Sequence, residues 1–168
     1  MVNKIIGIVA LTLCASIVKA FEVDNFKSGL VCTDGKTFGW VCHEVEDIYV
    51  TGQSQCTFNK ESIPCTWHGF SFDYKNYKKG QVVSCEYTQT AQANMGNPES
   101  IIEEGSNSGS YEFELDNQES HFFNPQYVGL AVGSIEESLQ SNYTVCKSGE
   151  KVLFEFSYRL HFPVAEEK

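Results

Sequence analysis

The sequence predicts an all-β protein, an antiparallel β-sandwich stabilised by disulfide bonds. Three observations support this class: two segments alternate strictly between apolar and polar residues, turn signals separate further short apolar runs, and six cysteines follow an N-terminal apolar segment. Alternation with a period of two is typical of a strand that buries one face and exposes the other. A closed barrel is the alternative arrangement of the same strands.

The strict alternation occurs at residues 151–162 and 110–116. One side of the first segment consists of the apolar residues Val152, Phe154, Phe156, Tyr158, Leu160 and Phe162. One side of the second consists of Tyr111, Phe113 and Leu115, with acidic residues between them. Each segment is therefore predicted to be a strand with one buried face.

Shorter apolar runs predict further strands between these signals. They cover residues 21–27, 37–42, 47–51, 66–74, 81–90, 127–132 and 143–146. In the run at 66–74, every second residue from Thr66 to Tyr74 lies on one face. Turn residues such as Lys79-Gly80 and Ser148-Gly149 separate several of the runs, as expected for antiparallel neighbours.

Little helix is expected. Ser134 and Glu137 fit a capping box, in which the serine and the glutamate each satisfy one free amide, so residues 135–140 are predicted to form one short helix. Residues 91–109 contain glycines and a proline that interrupt the β pattern, and they are predicted to form a long surface loop.

The N-terminus predicts a signal peptide over residues 1–20. The apolar run Ile5–Val18 follows Lys4, and small residues precede a cleavage point after Ala20. The run of 14 residues is too short to span a bilayer, so no membrane anchor is expected. Residues 21–168 are then one secreted, extracellular β-rich domain, long enough to bury a core.

The charge of the chain is strongly acidic. Removing Lys4 and Lys19 with the signal peptide leaves ten of the twelve basic residues against 22 acidic ones, a net charge of about −12. Such a field repels nucleic acid and anionic membranes, which bind to basic surfaces. Neither is therefore an expected partner.

The cysteines of the predicted mature chain form an even set: Cys32, Cys42, Cys56, Cys65, Cys85 and Cys146. An even number in an exported chain predicts three disulfides, which six cysteines can form in 15 ways. The pairing that we predict joins neighbours along the chain: Cys32 with Cys42, Cys56 with Cys65, and Cys85 with Cys146.

Residue types that carry catalysis occur without a catalytic pattern. Cys42 precedes His43 and Cys65 lies near His68, which are types that bind zinc or act as nucleophiles, but oxidation would remove both thiols. No His-Glu-x-x-His, Gly-x-Ser-x-Gly or phosphate-binding glycine loop occurs in the sequence. Neighbouring carboxylates are expected by chance with 22 acidic residues. The prediction is a protein that is not an enzyme, with no catalytic residue, metal or cofactor.

Aromatic residues suggest a binding surface. Two clusters contain the candidates Trp67, Tyr74, Tyr77, Phe122 and Phe123. Exposed rings can stack on sugars or anchor a protein partner, whereas buried ones belong to the core. The second cluster includes an Asn-Pro step that predicts a turn at residues 124–125. Asn142 begins an Asn-x-Thr sequon and is a possible glycosylation site.

Three segments carry a resemblance to a known group: Phe21-Glu-Val-Asp-Asn-Phe26, Trp67-His-Gly-Phe-Ser-Phe72 and Val82-Val-Ser-Cys-Glu-Tyr87. In these segments the chain resembles small cysteine-rich secreted fungal proteins, namely the β-sandwich group around the Alternaria major allergen and, more broadly, effectors of plant pathogens. The cysteine spacing departs from that group, and no functional residue is carried over. The resemblance implies a non-enzymatic extracellular or host-directed protein.

The leading functional hypothesis is a secreted binding protein, such as an effector, whose partner is an extracellular or host protein. The alternative is a carbohydrate-binding module, for which an exposed row of Trp67, Tyr74 and Tyr77 would be the distinguishing feature. A third hypothesis is a secreted hydrolase or enzyme inhibitor. A hydrolase needs a cleft in which titratable groups of shifted pKa converge.

Overall fold

The computed structural model describes residues 21–35, 39–58, 60–90, 95–96, 107–115, 120–130 and 138–163. These residues form strands, turns and bends, with no helix among them. Accordingly, the described part of the chain contains no helix that is long and apolar enough to cross a membrane. The predicted signal peptide at residues 1–20 lies outside the described residues.

The described residues form eleven strands. In chain order they are β1 (Glu22–Cys32), β2 (Trp40–Glu44), β3 (Asp47–Tyr49), β4 (Ser54–Phe58), β5 (Glu61–Lys75), β6 (Val82–Gln89), β7 (Met95–Gly96), β8 (Ser108–Glu114), β9 (His121–Gly129), β10 (Leu139–Ser148) and β11 (Lys151–His161). The two segments with strict alternation correspond to β11 and β8, as predicted.

The strands form two sheets. Sheet A has the order β2-β1-β5-β9-β7, with β4 pairing with the first part of β5. Sheet B has the order β3-β11-β10-β6-β8. Every pairing is antiparallel except that of the short β3 with the end of β11, which is parallel.

The core lies between the inner faces of the two sheets. Alternate residues of β5 meet alternate residues of β11: the ring centroids of Phe72 and Phe154 are 5.0 Å apart, and those of Phe70 and Phe156 are 5.2 Å apart. All four rings are buried. Aromatic side chains from both inner faces interdigitate, which is how two twisted sheets hide their apolar surfaces from water. The predicted disulfide-stabilised β-sandwich is therefore confirmed.

Three disulfides link neighbouring strands. They join Cys32 to Cys42, Cys56 to Cys65, and Cys85 to Cys146. These are the three pairs that we predicted from the sequence. The first two connect the short hairpins β1–β2 and β4–β5, while the third connects β6 to β10 inside the core.

Two local predictions were wrong. Leu139 and Gln140 begin β10 and so cannot belong to the predicted helix at 135–140, whose residues 135–137 lie outside the described chain. The predicted turn at Asn124 and Pro125 is instead the middle of β9. Bonded pairs alternate with non-bonded pairs along β5 and β9, and Pro125 lies opposite Gly69 in a non-bonded pair. A proline is tolerated there because no ladder bond needs its N–H.

The predicted loop at residues 91–109 is partly described. Met95 and Gly96 pair with β9, and Ser108 and Gly109 already belong to β8, so the β structure extends into both ends of the interval. The remaining residues of the interval, apart from Asn107, lie outside the described chain. Strand β4 had no counterpart in the sequence prediction, because its residues are largely polar.

Candidate functional site

The aromatic residues of the first predicted cluster do not form one surface. Trp67 and Tyr74 both lie on β5, but they are seven residues apart, so they face opposite sides of the sheet. Tyr74 points into the core and is buried, whereas Trp67 is half-buried on the outside, where its ring packs against Tyr127 at 5.4 Å. Tyr77 follows the strand and packs edge-on against Tyr74. The exposed row that would mark a carbohydrate-binding module is not formed by these residues.

The second aromatic cluster is divided in the same way. Phe122 stacks on Phe113 with 4.3 Å between ring centroids and lies 5.2 Å from Phe72, so it contributes to the core. Phe123 is half-buried on the outer face of sheet A. Alternation along β9 therefore separates these two neighbours.

The predicted glycosylation site is buried. The side chain of Asn142 points into the core of the sandwich from β10 and is 4% exposed. Its carbonyl accepts a hydrogen bond from the Thr144 hydroxyl at 3.1 Å. A glycan on Asn142 would have to pass through the core, so the structure argues against glycosylation of the folded protein at this position.

A surface groove lies at the edge of the sandwich, between β1 of sheet A and β11 of sheet B. Its volume is about 280 Å³. Its walls are formed by Phe26, Ser28, Glu46, Tyr143, Glu155, Phe156 and Ser157. We call this feature the edge groove. It combines an aromatic floor with polar and acidic groups around its opening, which is the usual composition of a binding site.

A β-bulge in β1 supplies one wall of the edge groove. Register with β5 shifts between Asp24 and Lys27, and Asn25 takes a left-handed conformation with a φ of 51°. Asparagine tolerates this conformation better than most residues, and its amide nitrogen donates to an oxygen of Asp73 at 2.7 Å. The extra residue turns Phe26 inward, where its ring stacks on Phe154 at 4.6 Å.

The backbone of β11 is open along the groove. Arg159 donates its N–H to the carbonyl of Glu46, and the carbonyl of His161 accepts from Val50, so odd-numbered residues of β11 direct their backbone groups away from β10. Glu155 and Ser157 continue this alternation toward the groove. No strand of the described chain pairs with them there. Their N–H and C=O groups form a short open edge.

Two carboxylates flank the open edge. Glu155 accepts a hydrogen bond from the Tyr143 hydroxyl at 2.6 Å, and this bond raises the pKa of Tyr143. Glu46 lies 3.4 Å from the guanidinium of Arg159. The side chain of Glu46 is 63% exposed, so this ion pair is screened by water. A ligand in the groove would therefore meet two acidic groups, one of them oriented by a tyrosine.

A network of charged side chains holds β3 beside the groove. Arg159 donates two hydrogen bonds to Asp47, at 2.8 and 2.6 Å, and His161 Nε2 lies 2.7 Å from the same carboxylate. These partners hold the pKa of Asp47 well below its usual range. The ring of Tyr49 stacks on the His161 imidazole with 4.6 Å between centroids and remains 64% exposed. One face of the Tyr49 ring is thus covered by the His161 imidazole, and the other face is open to solvent.

The groove presents polar groups in defined positions. The hydrogen bond to Glu155 raises the pKa of Tyr143, and the partners of Asp47 lower the pKa of that carboxylate, so Tyr143 is neutral and Asp47 is ionised at neutral pH. A ligand in the groove would meet hydrogen-bond donors, acceptors and negative charge.

Sequence reasoning did not identify these residues. Glu155 and Ser157 lie on the polar side of the alternating segment at residues 151–162, and Tyr143 was placed in a sequon and at the start of a short predicted strand. No sequence signal indicates that one edge of β11 has no neighbouring strand among the described residues. The exposed positions of the alternating pattern are the one sequence feature that could have indicated these residues.

The two packed, largely antiparallel sheets define a β-sandwich. Among solved structures, the chain is similar to an immunoglobulin-like protein from Pseudomonas aeruginosa, with a TM-score of 0.56 and 9% sequence identity over 86% of this chain and 99% of that chain. At this identity the similarity shows the fold alone. The sequence matches no protein-family model and no curated protein.

Proposed function

We propose that the protein is a secreted, non-enzymatic binding protein that recognises an extended basic segment of an extracellular or host protein in the edge groove. The open edge of β11 is the observation that carries this proposal. The apolar N-terminal segment and the three disulfides support export to an oxidising compartment. A host-directed effector is the specific form that the resemblance to fungal secreted proteins favours.

The open edge favours a partner in extended conformation. A peptide that lies along Glu155 and Ser157 can pair with their backbone groups and add a strand to sheet B. Its alternate side chains would point toward the aromatic floor formed by Phe26 and Phe156. Backbone pairing would supply affinity, and the groove would select the side chains.

The charges favour a basic partner. Glu46 and Glu155 face the groove, and the whole chain has a formal net charge of −10. An acidic field accelerates the approach of a positive partner and repels a negative one. Lysine or arginine at the positions next to the two carboxylates is therefore the expected recognition feature.

The test uses labelled ten-residue peptides in which lysine alternates with valine, and matched peptides in which glutamate replaces lysine. Fluorescence anisotropy with the mature protein should show binding of the lysine peptides only, with an affinity that falls as salt rises. The double variant Glu46→Gln with Glu155→Gln should weaken binding roughly fivefold, because each exposed charge pair contributes about 0.5 kcal/mol.

A matched control distinguishes the effect of the groove carboxylates from the effect of the overall negative charge. Glu112 and Glu114 lie on β8, at the opposite edge of sheet B, and their replacement by glutamine removes the same two charges. This control should retain the original affinity. Equal weakening by both double variants would show that the groove has no special role, and equal binding of lysine and glutamate peptides would remove the proposed preference.

Carbohydrate binding is a second candidate function, favoured by Tyr49. A sugar can stack on an aromatic ring that is held in place and open on one side, and Tyr49 is held by His161 in this way. Gluco-, xylo-, manno- and chito-hexaoses can be titrated into the protein and followed by calorimetry. Tyr49→Ala should abolish any binding, whereas Trp40→Ala, which removes an exposed ring on sheet A, should not. An affinity that survives Tyr49→Ala would exclude this site.

A further inference from the structure

The Cys32–Cys42 disulfide differs from the other two in its surroundings. Cys32 and Cys42 are half-buried at the end of the β1–β2 hairpin, whereas the four cysteines of the other two disulfides are at most 6% exposed. His43 directly follows Cys42 and is exposed. A reductant can therefore reach this disulfide more easily than the others.

Three ligand atoms converge at this disulfide. The two sulfurs of Cys32 and Cys42 and a ring nitrogen of His43 all lie within 4.8 Å of one another. In a tetrahedral zinc site with Zn–S bonds of about 2.3 Å, neighbouring sulfurs are roughly 3.8 Å apart. The two bonded sulfurs are closer than this, so they must move apart after the sulfur–sulfur bond is broken, while the imidazole nitrogen already lies beside them.

The strands hold the ligands in place independently of the disulfide. Leu30 is paired with His43 and Cys32 with Trp40 in the antiparallel ladder of β1 and β2. The Cα atoms of Cys32 and Cys42 are 5.7 Å apart. Because the backbone pairing remains after reduction, both thiols should stay on neighbouring strands next to the imidazole.

We propose that reduction of Cys32–Cys42 creates a binding site for zinc or a similar thiophilic divalent cation, with Cys32, Cys42 and His43 as ligands. A dithiol reductant supplies two electrons and two protons, which break the sulfur–sulfur bond and leave two protein thiols, while the reductant becomes a disulfide. The metal ion then displaces one proton from each thiol to the buffer and accepts a lone pair from a ring nitrogen of His43. The fourth position is open to water or another ligand.

This site is separate from the edge groove. The groove involves β1 through Phe26 and Ser28, whereas the metal ligands lie at the other end of β1 and on β2. Metal binding can therefore fail while peptide binding succeeds, and the reverse also holds. The proposal does not depend on the proposed function.

The test begins with limited reduction of the mature protein by dithiothreitol, followed by removal of the reductant without air. Thiol counting and peptide mapping should find two thiols, at Cys32 and Cys42. One equivalent of Co²⁺ should then produce thiolate charge-transfer absorption and the visible bands of tetrahedral cobalt, and Zn²⁺ should abolish both. The oxidised protein should show neither.

Two variants make the assignment specific. His43→Ala should weaken Co²⁺ binding at least tenfold, while His121→Ala, which removes another exposed histidine on β9, should leave it unchanged. The Cys32→Ser, Cys42→Ser double variant keeps the other two disulfides and should bind no Co²⁺. Simultaneous reduction of all three disulfides would overturn the proposal. Cobalt spectra that are the same in His43→Ala or in the double cysteine variant as in the original protein would also overturn it.

Discussion

Stability should fall as the pH is lowered from neutral, because of one buried histidine. His68 is completely buried on the inner face of β5, and its ring packs edge-on against Tyr158 at 4.8 Å. Neither ring nitrogen has a hydrogen-bond partner among the described residues. Burial lowers the pKa of His68 to about 4 from an ordinary value of 6.5, because a charged imidazole cannot be solvated there.

The direction and the magnitude of this change in stability follow from the two pKa values of His68. Between pH 6.5 and pH 4 the unfolded chain binds a proton that the folded protein excludes, so the stability present above pH 6.5 is lost as the pH falls. One pKa unit corresponds to about 1.4 kcal/mol, so the total loss is about 3.5 kcal/mol, of which roughly 2.5 kcal/mol is lost by pH 4.5. The pKa values of Asp47 and Asp73 are lowered by their hydrogen-bond partners, so their contribution is lost at still lower pH.

Urea unfolding of the disulfide-intact protein at pH 7 and pH 4.5 measures this loss. His68→Leu replaces the ring with an apolar side chain of similar size and should remove most of the difference between the two pH values. His121→Leu, at an exposed position, should retain it. An equal loss of stability in the original protein and in His68→Leu would refute the assignment to His68.

Three further predictions concern the framework. Gly69→Ala should lower the stability by roughly 2 kcal/mol in thermal unfolding, because the new Cβ would lie 2.4 Å from the backbone oxygen of Asn124 and push β9 from β5; unchanged stability would contradict this close approach. Replacing Cys85 and Cys146 together by alanine should lower the free energy of unfolding in urea by about 4 kcal/mol, because this disulfide closes the longest loop of the three, 61 residues. A negligible loss of stability would contradict this argument. Secretion from a eukaryotic host should give protein without a glycan on Asn142 by peptide mass mapping, and a folded, fully glycosylated product would contradict the burial of that side chain.

Much of the fold could be predicted from local pattern. The alternation in β11 and β8 marks one buried face in each, and this follows from the pleat of a strand without any knowledge of its neighbours. Strand β4 was missed because Ser54, Gln55 and Thr57 carry no apolar period. Its position depends on pairing with β5, which is not visible in a local pattern. The Cys56–Cys65 disulfide was predicted, but a disulfide alone does not indicate a strand.

The candidate site was less predictable, because it depends on which strands meet. The alternation of β5 already places Tyr74 on the core face with Phe72, so the proposed row with Trp67 conflicted with the pleat. The edge groove requires the bulge at Asn25 and the absence of a described neighbour beside Glu155 and Ser157. The bulge and the open edge both result from the way in which distant strands pair in the folded protein.

The open edge of β11 can be tested most directly by residue-resolved amide hydrogen exchange in the presence and absence of the alternating lysine–valine peptide. Bound peptide should protect the amide protons of Glu155 and Ser157, because these would donate to the added strand, and should leave those of Glu112 and Glu114 on β8 unchanged. If the peptide binds while the exchange of Glu155 and Ser157 stays the same, recognition does not occur by strand addition in the edge groove.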